Sequence, residues 1–271
     1  MKLTRELVRR FEDQMADGFE SMMRASLVEP GNPEGYAFFR DGTLRAHCSS
    51  NPHAAWATCA YHVNQQSPDC VRAAIAFFAE HIVPAKVRIV PDGFGPAQAD
   101  VLTDAGLQHI GFHTVLWAPL PMPIAPDSAV DIREAVTPEQ IEAHIRIHLG
   151  AFSVPEGAVE KLLPLRRHWW RLRRLKFYLA YVDGVPAAQA ILDVDGELAC
   201  LASAGTLPAY RGRGLQTALI RRRLADAQKL GCKAVFGAAD FENNSRTNQM
   251  ACGLQVAYTA AWWCQRGGRL A

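Results

Sequence analysis

The sequence predicts an α/β chain of the α+β kind: two tandem domains of similar build, each a mixed, mostly antiparallel sheet flanked by helices. Three observations carry this. The segments "AKVRIVPD" and "DAGLQHIGFHTVLW" of the first half return as "CKAVFGAAD" and "ACGLQVAYTAAWW" in the second, with Lys86 and Lys233, and Gly106 and Gly253, both 147 residues apart. A matched offset over two anchors marks a repeated unit. "YAFFRDG" at 36–42 and "FYLAYVDG" at 177–184 each end a β-rich run on Asp-Gly, the pair that tolerates the positive φ angles of a tight hairpin turn. Between the copies lies a proline-rich stretch, which lacks backbone donors and excludes regular structure. The expected division is a first domain over 1–118, a linker over 119–129 and a second domain over 130–271.

The elements follow from local pattern. "MKLTRELVRRFEDQM" places apolar residues at helical spacing. In the second half "VDIREAV" reads as a strand, and Pro138 sits where a first helical turn accepts it, ahead of the helical pattern "EQIEAHIRIHLGAF". A second helical piece runs over about 156–173, interrupted by Pro164. "FYLAYV", "PAAQAILDV" and "LACLASAG" form an antiparallel meander turned at Asp183-Gly184 and Asp195-Gly196. After Gly214 comes a helix with Ile220, Leu224 and Ala227 on its apolar face, stopped by Gly231. "KAVFGAA" is a strand, "NNSRTNQMAC" a short helix stopped by Gly253, and "QVAYTAAWWC" a closing strand or strand pair.

Composition narrows the function classes. With 49% hydrophobic and 21% charged residues the chain has ample apolar material to bury and no signature of disorder. Its 29 basic residues nearly balance 27 acidic ones, so nothing in the charge demands nucleic acid or an anionic membrane. No apolar run approaches bilayer length and no leader pattern opens the chain, so a cytoplasmic protein without a membrane partner is expected. The seven cysteines are scattered without ligand spacing and read as buried free thiols. His144 and His148 stand four apart on a helix without a carboxylate set to complete a metal site, so no metal is expected.

The most informative stretch is "LPAYRGRGLQTALIRRRL", where Gly212 and Gly214 alternate with Arg211 and Arg213 at the mouth of a helix. A helix N-terminus offers unpaired amide donors and a partial positive charge. Glycine lets a diphosphate approach those amides, and arginine adds charge outside, so the stretch reads as an anion cradle. A Walker loop is absent, and a dinucleotide fingerprint needs a third glycine near Thr217 and a parallel start.

"TLPAYRGRGLQTALI" resembles the acyl-CoA pyrophosphate loop of the GNAT acetyltransferase superfamily, with pattern Gln/Arg-x-x-Gly-x-Gly/Ala. Arg211 and Gly214 match it, and Gln216 stands where Gly or Ala is usual. The element order from 130 to 266 and the closing "SRTNQMACGLQVAYTAAW" resemble the same family. The resemblance implies acetyl-CoA as acyl donor and an amine as acceptor. It implies that the strand around Ala204, Thr206 and Leu207 pairs with pantetheine, that amides of Gly212, Arg213, Gly214, Leu215, Gln216 and Thr217 behind Arg211 hold the pyrophosphate, and that Asn248 meets the pantetheine arm. Asn243 and Asn244 read as helix caps. The 147-residue offset carries 211–216 onto "NQQSPD" at 64–69, which has no glycine or basic residue. The first half is therefore expected to be a degenerate copy of the fold without a cofactor loop.

Acyl transfer to an amine needs a proton acceptor, an oxyanion donor and a proton for the departing thiolate. Glu197, with Asp193 and Asp195 behind it, is the candidate base, although acidic residues beside Asp-Gly turns are commonly solvated turn formers. Relatives carry a tyrosine acid where this chain has Gln249, so Tyr258 on the next strand is the candidate substitute, against the plainer reading of a core tyrosine. The run "RRHWWRLRRLK" at 166–176 reads as a helix burying Leu165, Trp169 and Leu172 with its arginines in water. Its alternatives are a nucleic-acid track, which is not the expected partner, and attraction of an acidic acceptor or of CoA phosphates. A non-catalytic acyl-CoA sensor remains the rival to an N-acyltransferase, and a monomer or homodimer is expected.

Overall fold

The computed structural model describes residues 1–124 and 129–266; part of the expected linker, residues 125–128, lies outside the described residues. The chain divides into two units. One comprises Thr4–Thr114 together with the chain from Tyr258 onward, and the other Met1–Leu3 and Val115–Ala257. The division therefore departs from a single cut at the proline-rich stretch: the C-terminal strand groups with the first half. Strand partners are set by non-local packing, which a local breaker such as proline does not report.

The first unit contains α1 (Arg5–Ser26), β1 (Tyr36–Asp41), β2 (Leu44–Ser49), β3 (Cys59–Tyr61), α2 (Pro68–Glu80), β4 (Lys86–Ile89), α3 (Pro96–Asp104) and the start of β5 (Leu107–Pro119). β1, β2 and β3 pair antiparallel in succession, and β3 meets β4 parallel at a single register point, Ala60 opposite Val87. Beyond that point the side chain of Asn64 bridges the two strands, donating to the Val90 carbonyl and accepting from the Val90 amide. The helix that follows is spent at its N-terminus: the Ser67 hydroxyl accepts from the Cys70 amide, Pro68 opens the helix and Asp69 places negative charge in the first turn. Where the second copy is expected to open for an anion, the first is laced shut by its own side chains.

The second unit contains the end of β5, then β6 (Asp131–Glu134), α4 (Pro138–Ala151), α5 (Glu156–Arg166), a 3-10 turn over Arg167–Arg171, β7 (Leu175–Val182), β8 (Val185–Asp195), β9 (Leu198–Cys200), β10 (Ala204–Thr206), α6 (Leu215–Lys229), β11 (Ala234–Asp240), α7 (Asn244–Ala251) and the start of β12 (Gln255–Gln265). Thr137 and Gln140 form a capping box at α4, with Pro138 in its first turn as expected. Asp183 and Gly184 both take positive φ, 50° and 79°, in the β7–β8 turn. β6, β7, β8 and β9 pair antiparallel, and β11 lies parallel to β9. The core beneath α6 joins Leu219, Ile220, Leu224 and Ala227 to Ala188, Ala190 and Val235 of the sheet. β12 is one long strand, and all seven cysteines are free. Among the described residues no helix is long and apolar enough to cross a membrane.

Candidate functional site

The site begins where the sheet of the second unit parts. β11 pairs with β9 over Ala234–Phe236, and the Leu201 amide donates to the Phe236 carbonyl at 2.7 Å. Past this bond β11 runs on to Asp240, whereas the other strand bulges over 201–203 and resumes as β10, which pairs only with β8. Two parallel neighbours that stop bonding leave an open edge on each.

Arg223 of α6 holds the bulge. Buried to 2% exposure, it donates from Nη1 to the carbonyls of Ile191 and Ala202 at 2.9 and 3.0 Å, and from Nε to that of Leu219 at 3.1 Å. Burial lowers its pKa to about 10. Sequence reasoning passed over Arg223, although its place between Ile220 and Ala227 on the apolar stripe was the available signal. An arginine on a buried face has to find acceptors there.

The gap opens into a cleft of about 620 Å³ at the N-terminus of α6. Gly214 caps that helix with φ of +74° and no side chain bonds its first amides; no acidic residue occupies the first turn. A Cβ on Gly212 or Gly214 would meet nothing within 4 Å, so the glycines serve left-handed backbone and unobstructed approach rather than packing. The amides of Leu215, Gln216 and Thr217 thus face a concave, open surface with the positive end of a helix behind it.

Of the residues expected to contact the donor, Ala204, Thr206, Arg211, Gly212, Arg213, Gly214, Leu215, Gln216, Thr217 and Asn248 all line this cleft. Leu207 does not; its side chain turns toward Gly150 of α4. Arg211 is engaged within the protein, donating to the carbonyls of Thr206 at 3.2 Å and Ala151 at 3.1 Å, so it fastens the loop to β10 and to the end of α4. Gln216 accepts from Asn248 Nδ2 at 2.6 Å, which directs the side chain that replaces Gly or Ala toward α7. Asn243 is the N-cap of α7, as the capping reading expects, and it also lines the cleft with Asn244. Ala151, Phe152, Gly205, Tyr210 and Thr247 complete the wall without having been singled out in the sequence.

The two catalytic candidates are not at the cleft. Glu197 is exposed in the β8–β9 turn, beside Asp195. Register places Gln189 opposite Gly205 and Asp195 opposite Leu198, so Glu197 stands roughly 20 Å along the strand from the cleft wall. Tyr258 belongs to the first unit, where its hydroxyl donates to Glu12, itself held by Arg88 at 2.8 and 3.0 Å. Burial, reinforced by the Glu12 charge, raises the Tyr258 pKa well above its ordinary value. Both positions correct the expectation: one residue is a solvated turn former and the other a core tyrosine. Gln249, in the place of the family's acid, is buried and packs against Gly237, where a Cβ would lie 2.4 Å from its Oε1.

The 166–176 run also differs from its reading. Trp169 is buried, but so is Arg166, and Arg174 pairs with Asp193 at 2.9 Å; Arg167, Arg171 and Arg173 are exposed beside Trp170. His144 is core, edge-on to Phe177, and among the described residues no group of His, Cys, Asp or Glu could hold a metal ion.

Residues 141–253 match the model of the acetyltransferase (GNAT) family. This segment is a GNAT domain. It contains every residue that lines the cleft, from Ala151 at the end of α4 to Asn248 of α7. Solved structures similar to the chain include a GCN5-related N-acetyltransferase from Kribbella flavida, at 19% identity and TM-score 0.61 over 94% of this chain and 96% of that one. A second, from Sphaerobacter thermophilus, matches at 14% identity and TM-score 0.58 over 82% and 80%. A tandem GNAT protein from the clavulanic acid biosynthesis pathway matches at 16% identity and TM-score 0.61 over 98% and 96%. At these identities the likeness is one of fold. No curated protein matches the chain.

Proposed function

We propose that the protein is an N-acyltransferase that carries acetyl from acetyl-CoA to a primary amine by direct attack in a ternary complex. The observation that carries the reading is the uncapped, left-handed Gly214 terminus of α6 beside the parted strands β10 and β11. Amides from Gly212 to Thr217 would receive the pyrophosphate, and the free edge of β10 would pair with the pantetheine amides. A backbone amide at the parted strands is the donor for the oxyanion of the tetrahedral adduct. The nitrogen lone pair forms the C–N bond to give that adduct, its collapse breaks the C–S bond and expels the thiolate, and the proton lost by the nitrogen passes to water or to the departing sulfur. The cytoplasm, as a monomer or homodimer, is the setting assigned to it.

A second reading, a non-catalytic acyl-CoA sensor, draws on one specific observation: among the described residues lining the cleft there is no carboxylate. The two readings part in one experiment. Thiol release from acetyl-CoA is followed with a panel of small primary amines, alongside calorimetric binding. Binding with amine-dependent thiol release supports the enzyme; binding with no release across the panel supports the sensor; no binding removes both.

A further inference from the structure

In the bulge beside the cleft, one residue from Ala204 of its wall, lies a polar pair that neither the sequence pattern nor the family match assigns. Ser203 closes the bulge, and its Oγ stands 3.1 Å from Nδ1 of His148 on α4. Side chains alternate along a strand, so Ser203 and Gly205 share one face and Ala204 and Thr206 the other. The Ser203 face is the one α4 covers: a Cβ on Gly205 would meet Ala151 and, at 3.9 Å, Phe152. Ala204 instead packs against the core beneath α6, the helix whose N-terminus forms the anion cradle. Ser203 therefore approaches the parted strands from the side opposite α6.

The direction of the hydrogen bond follows from its third member. Gln189, fully buried, reaches toward the same Nδ1 at 3.4 Å and toward Ser203 Oγ at 3.5 Å, and an amide nitrogen can only donate. With the Gln189 amide in this orientation, Nδ1 is assigned as the acceptor, which places the imidazole proton on Nε2 and lets the Ser203 hydroxyl donate to the ring. Burial first, then the charge of Arg166 and the neighbouring His144, hold the His148 pKa down at about 3, so the ring stays neutral at physiological pH. With its proton committed, Ser203 Oγ presents only lone pairs to the space beyond it. Ser203 is half-buried.

We infer that Ser203, oriented by His148, is the hydrogen-bond acceptor that receives an N–H of the incoming amine beside the thioester. The inference rests on the transferase reading above. An acceptor of this kind turns the lone pair of a neutral amine away from Oγ and toward the acyl carbon, and it favours amines over groups with no N–H to give. Ser203 would touch the substrate, whereas His148 acts through Ser203 as a positioning residue.

The test uses methylamine, small enough to reach the site whatever its shape, with acetyl-CoA and thiol release, on the full chain and on Ser203→Ala, Ser203→Thr, His148→Leu and the double substitution Ser203→Ala with His148→Leu. The expected result is a KM for methylamine raised about tenfold by either single substitution. The double substitution is expected to be no worse than Ser203→Ala, Ser203→Thr to be close to wild type, and the calorimetric Kd for acetyl-CoA to be unchanged throughout. If His148→Leu impairs folding, the comparison of Ser203→Ala with Ser203→Thr decides alone. Additive losses, a fall in kcat at constant KM, or a kcat/KM inflection near neutral pH that His148→Leu abolishes would overturn the assignment, the last by marking the ring as a base. A wild-type protein that binds acetyl-CoA yet leaves methylamine untouched also contradicts it. Failure of wild type to bind acetyl-CoA overturns the transferase reading itself.

Discussion

Gly205 of β10 and Ala151 of α4 approach so closely that a Cβ on the glycine would lie 2.7 Å from the alanine Cβ. This contact sets one wall of the cleft, because Ala151 and Gly205 both line it and the Ala151 carbonyl receives Arg211. Gly205→Ala is expected to push the end of α4 outward at a cost of about 1–3 kcal/mol. Urea denaturation should show the loss, and calorimetry should show acetyl-CoA binding weakened more than by a substitution at exposed Lys161 of α5.

Arg223 is the strut of the bulge. Arg223→Leu removes the arginine donor from the carbonyls of Ile191 and Ala202, the latter keeping the Ile191 amide at 3.3 Å, and is expected to cost about 2–4 kcal/mol. Hydrogen exchange should localise the loosening to amides around 201–206, ahead of those in β7. Uniform exchange across the unit would contradict the strut.

Tyr258→Phe separates a core tyrosine from a catalytic acid. The substitution removes the bond to Glu12, leaving that carboxylate to Arg88, and should cost about 1–2 kcal/mol of stability. The Kd for acetyl-CoA and the kcat with any accepted amine should stay within twofold of wild type. A fall in kcat of a hundredfold would return Tyr258 to the mechanism.

His144 and His148 make the second unit sensitive to acid. Burial holds each at a pKa of about 3 in the folded chain, against an ordinary 6.5. Between those values the unfolded chain binds the proton and the folded chain does not. Stability is therefore full above about pH 6.5 and falls as the pH drops, by about 1.4 kcal/mol per pH unit for each histidine. His144→Phe, which keeps an aromatic ring against Phe177, should roughly halve the pH slope, between pH 6.5 and 5, of the second unit's own urea transition. An unchanged slope would place the acid sensitivity elsewhere.

The parts of this account legible in the sequence were those encoded locally. Asp183-Gly184 announced its turn because only certain residues take two successive positive φ angles, and Gly212 and Gly214 announced the left-handed backbone before α6 for the same reason. Ten of the eleven donor contacts expected from the loop and its neighbours do meet at one cleft. What escaped was set by partners distant in sequence. The bulge at 201–203 depends on Arg223 from the next helix, Gly205 on the end of α4, and the Ser203 and His148 pair on two elements 55 residues apart. Tyr258 was misplaced because its strand crosses from one unit to the other at Ala257, a fact that alternating hydrophobicity does not contain. Glu197 was misplaced because strand direction alone does not say which end of the meander meets the loop.

The central claim is that the glycine-arginine turn before α6 is an acyl-CoA cradle. Calorimetric titration of acetyl-CoA into wild type and into Gly214→Asp tests it most directly, since the new side chain projects into open space and adds a carboxylate at the helix N-terminus. The account predicts one site per chain in wild type and its loss in the variant, with circular dichroism unchanged. Equal affinity in the two proteins, or no binding to wild type, would make the turn a helix start and nothing more.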